Sequence, residues 1–237
     1  MEIEEFLMKM DMKGANNTFY KKEKDGEAGI NAYTKFNDGS SAVVGFIKYD
    51  KDFPEEVFSM NPGILSKIIS ESDSIYVEDT FLVGTSIYGN IKEDIEPATW
   101  KTIKSQYDNP AIKIQKEYIN KIIRRAEIID PNKVTLKGDG KELTITLYSK
   151  IGSSISEVKI PCELEIDSTP WFSSFMDTLN MIRDFDINLY VDIDNPEGRR
   201  KSPIKIEIED GNSKISYYVT ETYNPNKRDG EENGEWK

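Results

Sequence analysis

Carboxylates and cations are the side chains with which this protein could do chemistry. It has 43 acidic and 31 basic residues, no histidine and a single cysteine, Cys162. The lack of histidine excludes histidine-based acid–base catalysis, Ser-His and Cys-His nucleophile pairs and histidine-ligated metal sites. One cysteine permits neither an intrachain disulfide nor a thiolate zinc cluster, and its setting in VKIPCELEI predicts a small buried side chain on a strand.

The acidic residues form patterns that could be sites but are better explained as turns. The segment 192–198 (DIDNPEG) has the start of a calcium-loop pattern, yet the remaining ligand spacing is missing, so we interpret it as a solvated turn. Asp-Gly pairs at 139–140 and 210–211 lie between alternating strands, which predicts hairpins. We therefore expect no metal and no cofactor, while carboxylate pairs for glycoside hydrolysis stay open in so acidic a chain.

The basic residues are concentrated on predicted helices. From Lys116 to Glu127 the apolar residues recur at helical spacing, and Lys121, Arg124 and Arg125 fall on the opposite side. The same spacing predicts helices that start near residues 4, 62 and 171. Outside their apolar stripes lie Lys9, Lys13, Met8 and Met12 of the first, Lys67 of the second, and Arg183 with Asp177 and Asn180 of the last.

These cations have two interpretations. A solvated helix face is the simpler one, and for a single helix it is favoured. If all four helices line one concave wall, their outward cations instead form a positive stripe suited to phosphates, while the strands hold the acidic surplus behind a net charge of −12.

The helix starts near 4, 62, 116 and 171 are almost evenly spaced, which indicates a fourfold internal repeat. Alternating strands and hairpin turns follow each helix, so the repeat unit is one helix plus several antiparallel strands. Two units make a domain of normal size. We predict an N-terminal domain over 1–103, a linker at 104–110, a C-terminal domain over 111–222 and a disordered acidic tail at 223–237.

The chain has no apolar run long enough to cross a bilayer, and its first residues, MEIEEFLMKM, are acidic where a secretory signal would be basic. We therefore expect a cytoplasmic protein, in the host cytoplasm if it is viral.

Two hairpin patterns resemble a known family. The segment 203–219 begins with a proline, alternates apolar and charged residues, and ends in two tyrosines and a valine. The segment 37–44 (NDGSSAVV) is a turn followed by a strand. Together with helices at 62–70, 116–127 and 171–183, they resemble the ring-shaped DNA sliding clamps of the proliferating cell nuclear antigen family and its tailed-phage relatives. The resemblance extends over residues 30–222, although Thr220-Glu221 stands where the family has Ala-Pro.

The resemblance implies an α+β, two-domain clamp fold with helices lining a ring. It implies a DNA polymerase processivity factor that is not an enzyme, forms a homotrimer, encircles double-stranded DNA without sequence preference, and binds DNA polymerase and a clamp loader. The ring would close through exposed edge strands, for which 155–160 and 85–91 are the candidates by position in the repeat. The predicted DNA-facing residues are Lys67, Lys121, Arg124, Arg125 and Arg183, with Lys9, Lys13 and Lys116 beside them.

The resemblance also implies a hydrophobic partner pocket, formed by Pro203 and Tyr218 with Tyr217 and Val219 adjacent and Ala42 on the first-domain side. Because successive strand residues face opposite ways, at most one of the two tyrosines can pack in the core. The alternative function is a small acidic β-rich enzyme with carboxylate chemistry, or a viral structural protein. A concave pocket with a carboxylate of raised pKa would favour the enzyme, and a closed ring with a basic bore the clamp.

Overall fold

The computed structural model describes residues 1–12, 18–23, 26–35, 41–79, 81–85, 88–90, 92–93, 110–150, 155–191 and 203–222. Its helices are α1 (Ile3–Met10), α2 (Pro62–Ser70), α3 (Lys116–Ile129) and α4 (Phe172–Met181). The strands of the first half are β1 (Thr18–Lys22), β2 (Gly29–Lys35), β3 (Ser41–Lys48), β4 (Phe58–Met60), β5 (Tyr76–Glu78), β6 (Phe81–Val83), β7 (Tyr88–Asn90) and β8 (Lys92–Glu93). Those of the second half are β9 (Ile112–Ile114), β10 (Pro131–Asp139), β11 (Glu142–Ser149), β12 (Ile155–Pro161), β13 (Glu165–Ser168), β14 (Ile187–Tyr190), β15 (Ile204–Asp210) and β16 (Ser213–Val219).

The four predicted helices are confirmed, because each has an apolar stripe and a defined start. In α2, Pro62 occupies the first turn, and the Asn61 side chain accepts hydrogen bonds from the amides of Gly63 and Ile64. In α3 the cap comes from elsewhere in the chain: the carboxylate of Asp186 accepts the Lys116 N–H at 2.9 Å. An anion at this end is also favoured by the helix dipole.

The predicted hairpin turns at the two Asp-Gly pairs are confirmed. Asp139 accepts the amide hydrogens of Lys141 and Glu142 at 2.9 Å, and these bonds hold the pKa of its carboxyl below the usual range. Gly140 follows with a φ of 81°, which favours glycine. Cys162 is buried as predicted, although it directly follows β12 rather than lying within a strand. The segment 192–198 lies outside the described residues.

The strands form three antiparallel sheets. The largest has the order β8-β4-β1-β2-β3-β16-β15-β14-β9, the second β12-β11-β10-β13, and the third β5-β6-β7. The inward-facing strand residues and the apolar stripes of all four helices share one hydrophobic core. No helix in the described part of the chain is long and apolar enough to span a membrane.

The element order repeats once along the chain. A helix, four strands, a second helix and three strands occur as α1, β1–β4, α2, β5–β7, and again as α3, β10–β13, α4, β14–β16. The four strands pair in the same order both times, namely β4-β1-β2-β3 and β13-β10-β11-β12. The predicted repeat of helices and antiparallel strands thus takes the form of two equivalent halves.

The two halves meet where β3 pairs with β16. This antiparallel pairing extends from Ser41 opposite Val219 to Ile47 opposite Ser213, so one sheet passes through both halves. The equivalent strands, β12 in the second half and β7 in the first, each lie at the end of a sheet among the described residues. The predicted linker 104–110 falls almost entirely, and the tail 223–237 wholly, outside the described residues, so the domain boundaries stay predictions.

Candidate DNA-facing helices and partner pocket

Three exposed cations of the second half lie along one side of α3. Ile119, Ile122 and Ile123 are buried on its core side. Lys116, Lys121 and Arg124 are exposed on the other side. With Glu117, Asn120, Arg125 and Asp184 they surround a shallow, open depression of about 580 Å³. Four of the eight predicted DNA-facing residues are therefore brought together on this helix.

Two hydrogen bonds of the Asn120 side chain bring Arg183 to the same surface. The Asn120 side chain donates to the carbonyl oxygen of Arg183 at 2.9 Å and also to that of Lys116. Asn120 thus fixes the turn after α4 against the first turns of α3. The Arg183 guanidinium lies 4.0 Å from Asp184, but both side chains are well exposed, so this ion pair contributes little to stability.

Arg125 is oriented differently from its neighbours on α3. It is half-buried, and its guanidinium donates to the carbonyl oxygen of Glu157 on β12. The side chain therefore reaches toward the edge strand of the second sheet rather than out from the helix with Lys121 and Arg124.

The first half presents fewer free cations than predicted. Lys67 is exposed on α2, and Met8 on α1, as expected. Lys9 is half-buried: its ammonium lies 2.5 Å from the Met181 carbonyl oxygen and 5.3 Å from the centre of the Phe185 ring. The prediction that Met12 faces outward is wrong, because the residue is buried after the chain leaves α1. Lys13 lies outside the described residues.

The predicted pocket residues Tyr218 and Ala42 share one face of the large sheet. Tyr218 stands opposite Ala42 on β3 and opposite Lys205 on β15. Pro203 directly precedes β15 and is half-buried. From Tyr218 a shallow depression of about 730 Å³ continues along this face past Ser216 and Val44 to Phe46. It crosses the junction between the two halves, and of the five predicted pocket residues only Tyr218 is among those that line it.

Tyr217 and Val219 do not border this depression, contrary to the prediction. They point to the other face of the sheet, where both side chains are 0% exposed. The Tyr217 hydroxyl donates to the Lys9 carbonyl oxygen at 3.1 Å, and burial raises the pKa of this phenol. Tyr218 is 7% exposed on the depression side, and burial raises its pKa to about 12. The expected alternation is thus present, with Tyr217 as the core residue.

Sequence reasoning missed Glu207, a carboxylate that lies 1% exposed in the floor of the depression. One oxygen accepts from Lys214 at 3.0 Å and Tyr190 at 3.2 Å, and the other from Lys205 at 2.8 Å and Ser216 at 2.9 Å. Burial raises the pKa of Glu207, but the two ammonium groups outweigh it and hold the pKa below its usual range. The available signal was the alternation of charged and apolar residues in KIEIE (205–209). This alternation does not show which of the charged side chains is covered by neighbouring strands.

Replacing Glu207 by alanine should lower the free energy of unfolding by about 2–3 kcal/mol, because the half-buried Lys205 loses its counter-charge. Urea unfolding at pH 7 measures this, with the exposed Glu209→Ala as the matched control. Since folding lowers this pKa, the stabilisation is present above the ordinary value of 4.5 and is lost as pH falls through the folded-state value. A Glu207→Gln protein should therefore lose less stability than the parent over that acid range, and an equal loss would contradict the assignment.

Comparison with known proteins locates this fold. No family model and no curated protein matches the sequence. Among solved structures, the chain is similar to a crystal structure described as that of a candidate DNA polymerase III beta subunit from Eubacterium rectale ATCC 33656, with a TM-score of 0.66 and 18% sequence identity. The similarity covers 93% of this chain and 63% of the other, so the chain spans less than two thirds of the length of that protein. With its two equivalent halves of helices and antiparallel strands, the chain has the α+β fold of the DNA sliding clamps.

Proposed function

We propose that this protein is a DNA polymerase processivity factor, a ring-shaped homotrimer that encircles double-stranded DNA and tethers DNA polymerase, and that a clamp loader places it on DNA. It acts by binding and topology and is not an enzyme. The observation that supports this best is the repeat, in which β3 and β16 are joined while the equivalent strands β12 and β7 are left at sheet ends in the described chain.

Pairing β12 of one copy with β7 of the next would repeat the internal junction between molecules. An edge strand has a row of backbone groups ready to pair. Since the two partner edges differ, the contact is head-to-tail, and a head-to-tail contact closes into a ring when the rotation allows it. Three copies with two halves each would give six equivalent units. The edge strands predicted at 155–160 and 85–91 are the ones used here.

The proposed DNA-facing surface consists of Lys116, Lys121, Arg124 and Arg183 in the second half and Lys67 in the first. Cations on helices give sequence-independent contacts with phosphates, and these weaken as salt rises because binding releases counterions. A ring that is topologically linked to DNA needs no tight contact with it. A few exposed cations are therefore sufficient for DNA contact, even on a chain of net charge −12. Solvent screening between them and the phosphates lets the ring slide.

The depression beside Tyr218 is the proposed pocket for short motifs from polymerase and clamp-loader tails. Tyr218 and Val44 offer apolar surface, and the depression lies where the two halves join. One or two anchored apolar side chains would supply a few kcal/mol, which corresponds to micromolar binding suited to exchanging partners.

Among the residues that the structure describes, no observation favours the enzymatic alternative. A carboxylate acting as a general acid would need a raised pKa in a concave pocket. Glu207 is the one acidic residue buried in the described part of the chain, and its pKa is lowered by two lysines. Within the described residues, no group of three or more acidic or cysteine side chains could hold a metal ion.

Light scattering tests the assembly: the particle should have three times the 27.1 kDa mass of one chain. The DNA linkage is tested by loading the protein on nicked circular DNA and then cutting the circle, which should release it. A monomer at every concentration would contradict the ring, and equal retention on linear DNA with open ends would contradict encirclement.

A further inference from the structure

Where the two halves of the chain meet, the end of α1 in the first half contacts the end of α4 in the second half. The Lys9 ammonium of α1 binds the Met181 carbonyl oxygen at the end of α4 and lies against the Phe185 ring. Met12, three residues further on, is 1% exposed. The last turn of α1 thus supplies a cation to the second half, and the residues directly after the helix supply a buried apolar side chain.

The helix α3 holds the same position in the second half that α1 holds in the first. Phe6, Leu7 and Met10 on the core side of α1 correspond by spacing to Ile122, Ile123 and Ala126 of α3. Continuing the same numbering places Arg125 at the position of Lys9, and Ile128 at that of Met12, with the difference that Ile128 is still within α3 whereas Met12 follows the end of α1.

The two equivalent positions differ in what covers them. Ile128 is 80% exposed where Met12 is 1% exposed. At the start of β12, Ile155 is also 57% exposed. Arg125 already points to this edge, because its guanidinium binds the Glu157 carbonyl oxygen of β12. Arg125 and Ile155 therefore lie at a strand that ends its sheet in the described chain, and Ile128 is on the next turn of α3 after Arg125.

The matching surface is the C-terminal end of α2, which corresponds in the repeat to the end of α4. Leu65, Ile68 and Ile69 align with Phe175, Thr178 and Leu179, and this alignment places Glu71 at the position of Met181. A helix C-terminus has free carbonyl oxygens and the negative end of the helix dipole. Glu71 and Asp73 are both exposed there, so the local charge is complementary to an arginine.

We propose that Arg125 and Ile128 of one copy bind the C-terminal end of α2 in the next copy. Arg125 contacts the last carbonyl oxygens of that helix and the Glu71 carboxylate, and the exposed Ile128, on the next turn of α3, packs against the same helix end. This proposal rests on the head-to-tail ring proposed above. It assigns Arg125 to the subunit contact, whereas Arg124, one residue earlier, faces the DNA.

Charge reversal at the two neighbouring arginines tests the assignment. In light scattering over a dilution series, Arg125→Glu should raise the concentration needed for assembly at least tenfold, while Arg124→Glu should leave it unchanged. Adding Glu71→Arg to Arg125→Glu should restore assembly. Ile128→Asp should also weaken it, and because Ile128 is exposed, circular dichroism should show a folded protein.

The outcomes separate this proposal from the ring itself. If Arg125→Glu and Ile128→Asp assemble as the parent does, the helix contact is wrong and the ring stands. If the double variant of Arg125 and Glu71 does not recover, α2 is not the partner surface. If the parent is monomeric throughout, both this proposal and the proposed ring are wrong.

Discussion

Replacing Lys121 and Arg124 by alanine should lower the DNA affinity of the ring by roughly tenfold for each phosphate left without its cation at about 0.1 M salt. Both side chains are exposed on the outer side of α3, and Arg183 is held beside them through Asn120. Since each removed cation also reduces the number of counterions released, the plot of log affinity against log salt should become shallower. Fluorescence anisotropy with a nicked duplex at several salt concentrations measures both quantities.

The matched control is Lys113→Ala with Lys137→Ala. These two lysines are exposed on strands, where their buried sequence neighbours show that they face away from the core and its helices. The control removes the same total charge, so it should shift the affinity only slightly and leave the salt dependence intact. If both double variants behave alike, the α3 cations form an ordinary solvated face.

Replacing Tyr218 by alanine should weaken binding of a polymerase-tail peptide by about 2 kcal/mol or more, which is about a thirtyfold decrease in affinity, while ring mass and loading on DNA persist. The ring of Tyr218 lies opposite Ala42 across the junction, and its hydroxyl is bonded to Ser216. The substitution would remove the wall of the depression but no backbone pairing. Calorimetric titration with the peptide measures the affinity, and polymerase extension assays measure the decrease in stimulation.

A second variant, Ala42→Arg, should block the same site by filling it. The substitution removes only the methyl side chain of alanine, so a loss of binding would come from the added arginine. Tyr76→Ala is the control, because Tyr76 is an exposed tyrosine on the three-stranded sheet. A Tyr218→Ala ring that binds the peptide as the parent does would place the pocket elsewhere.

The helices could be predicted because their signals are local. Apolar residues at a period of 3.6, together with Asn61 and Pro62 at one start, define an element from a few neighbouring residues. The same holds for the hairpins at Asp139 and Asp210, where the aspartate side chain accepts a hydrogen bond from a backbone N–H two or three residues further along the turn. The alternation of Tyr217 and Tyr218 was likewise readable from the strand period.

What could not be predicted depends on contacts between distant segments. Lys9 and Met12 lie outside the apolar stripe of α1 in the sequence pattern, yet Lys9 is half-buried through its contact with Met181 of the far half, and Met12 is 1% exposed. Glu207 is covered by residues of β14 and β16, which no local pattern places beside it. The order of strands within the large sheet has the same origin.

The pairing of β3 with β16 can form only late in biosynthesis. β3 ends at Lys48, whereas its neighbour begins at Ser213. At about 5–20 residues per second, translation leaves the outer edge of β3 without its partner for on the order of ten seconds. During that interval Val43 and Ile47, which are core residues in the finished protein, flank an edge that can pair with other nascent chains. We therefore expect rapid synthesis of the intervening segment, or a chaperone that shields this edge, to raise the fraction of the protein that reaches the native state.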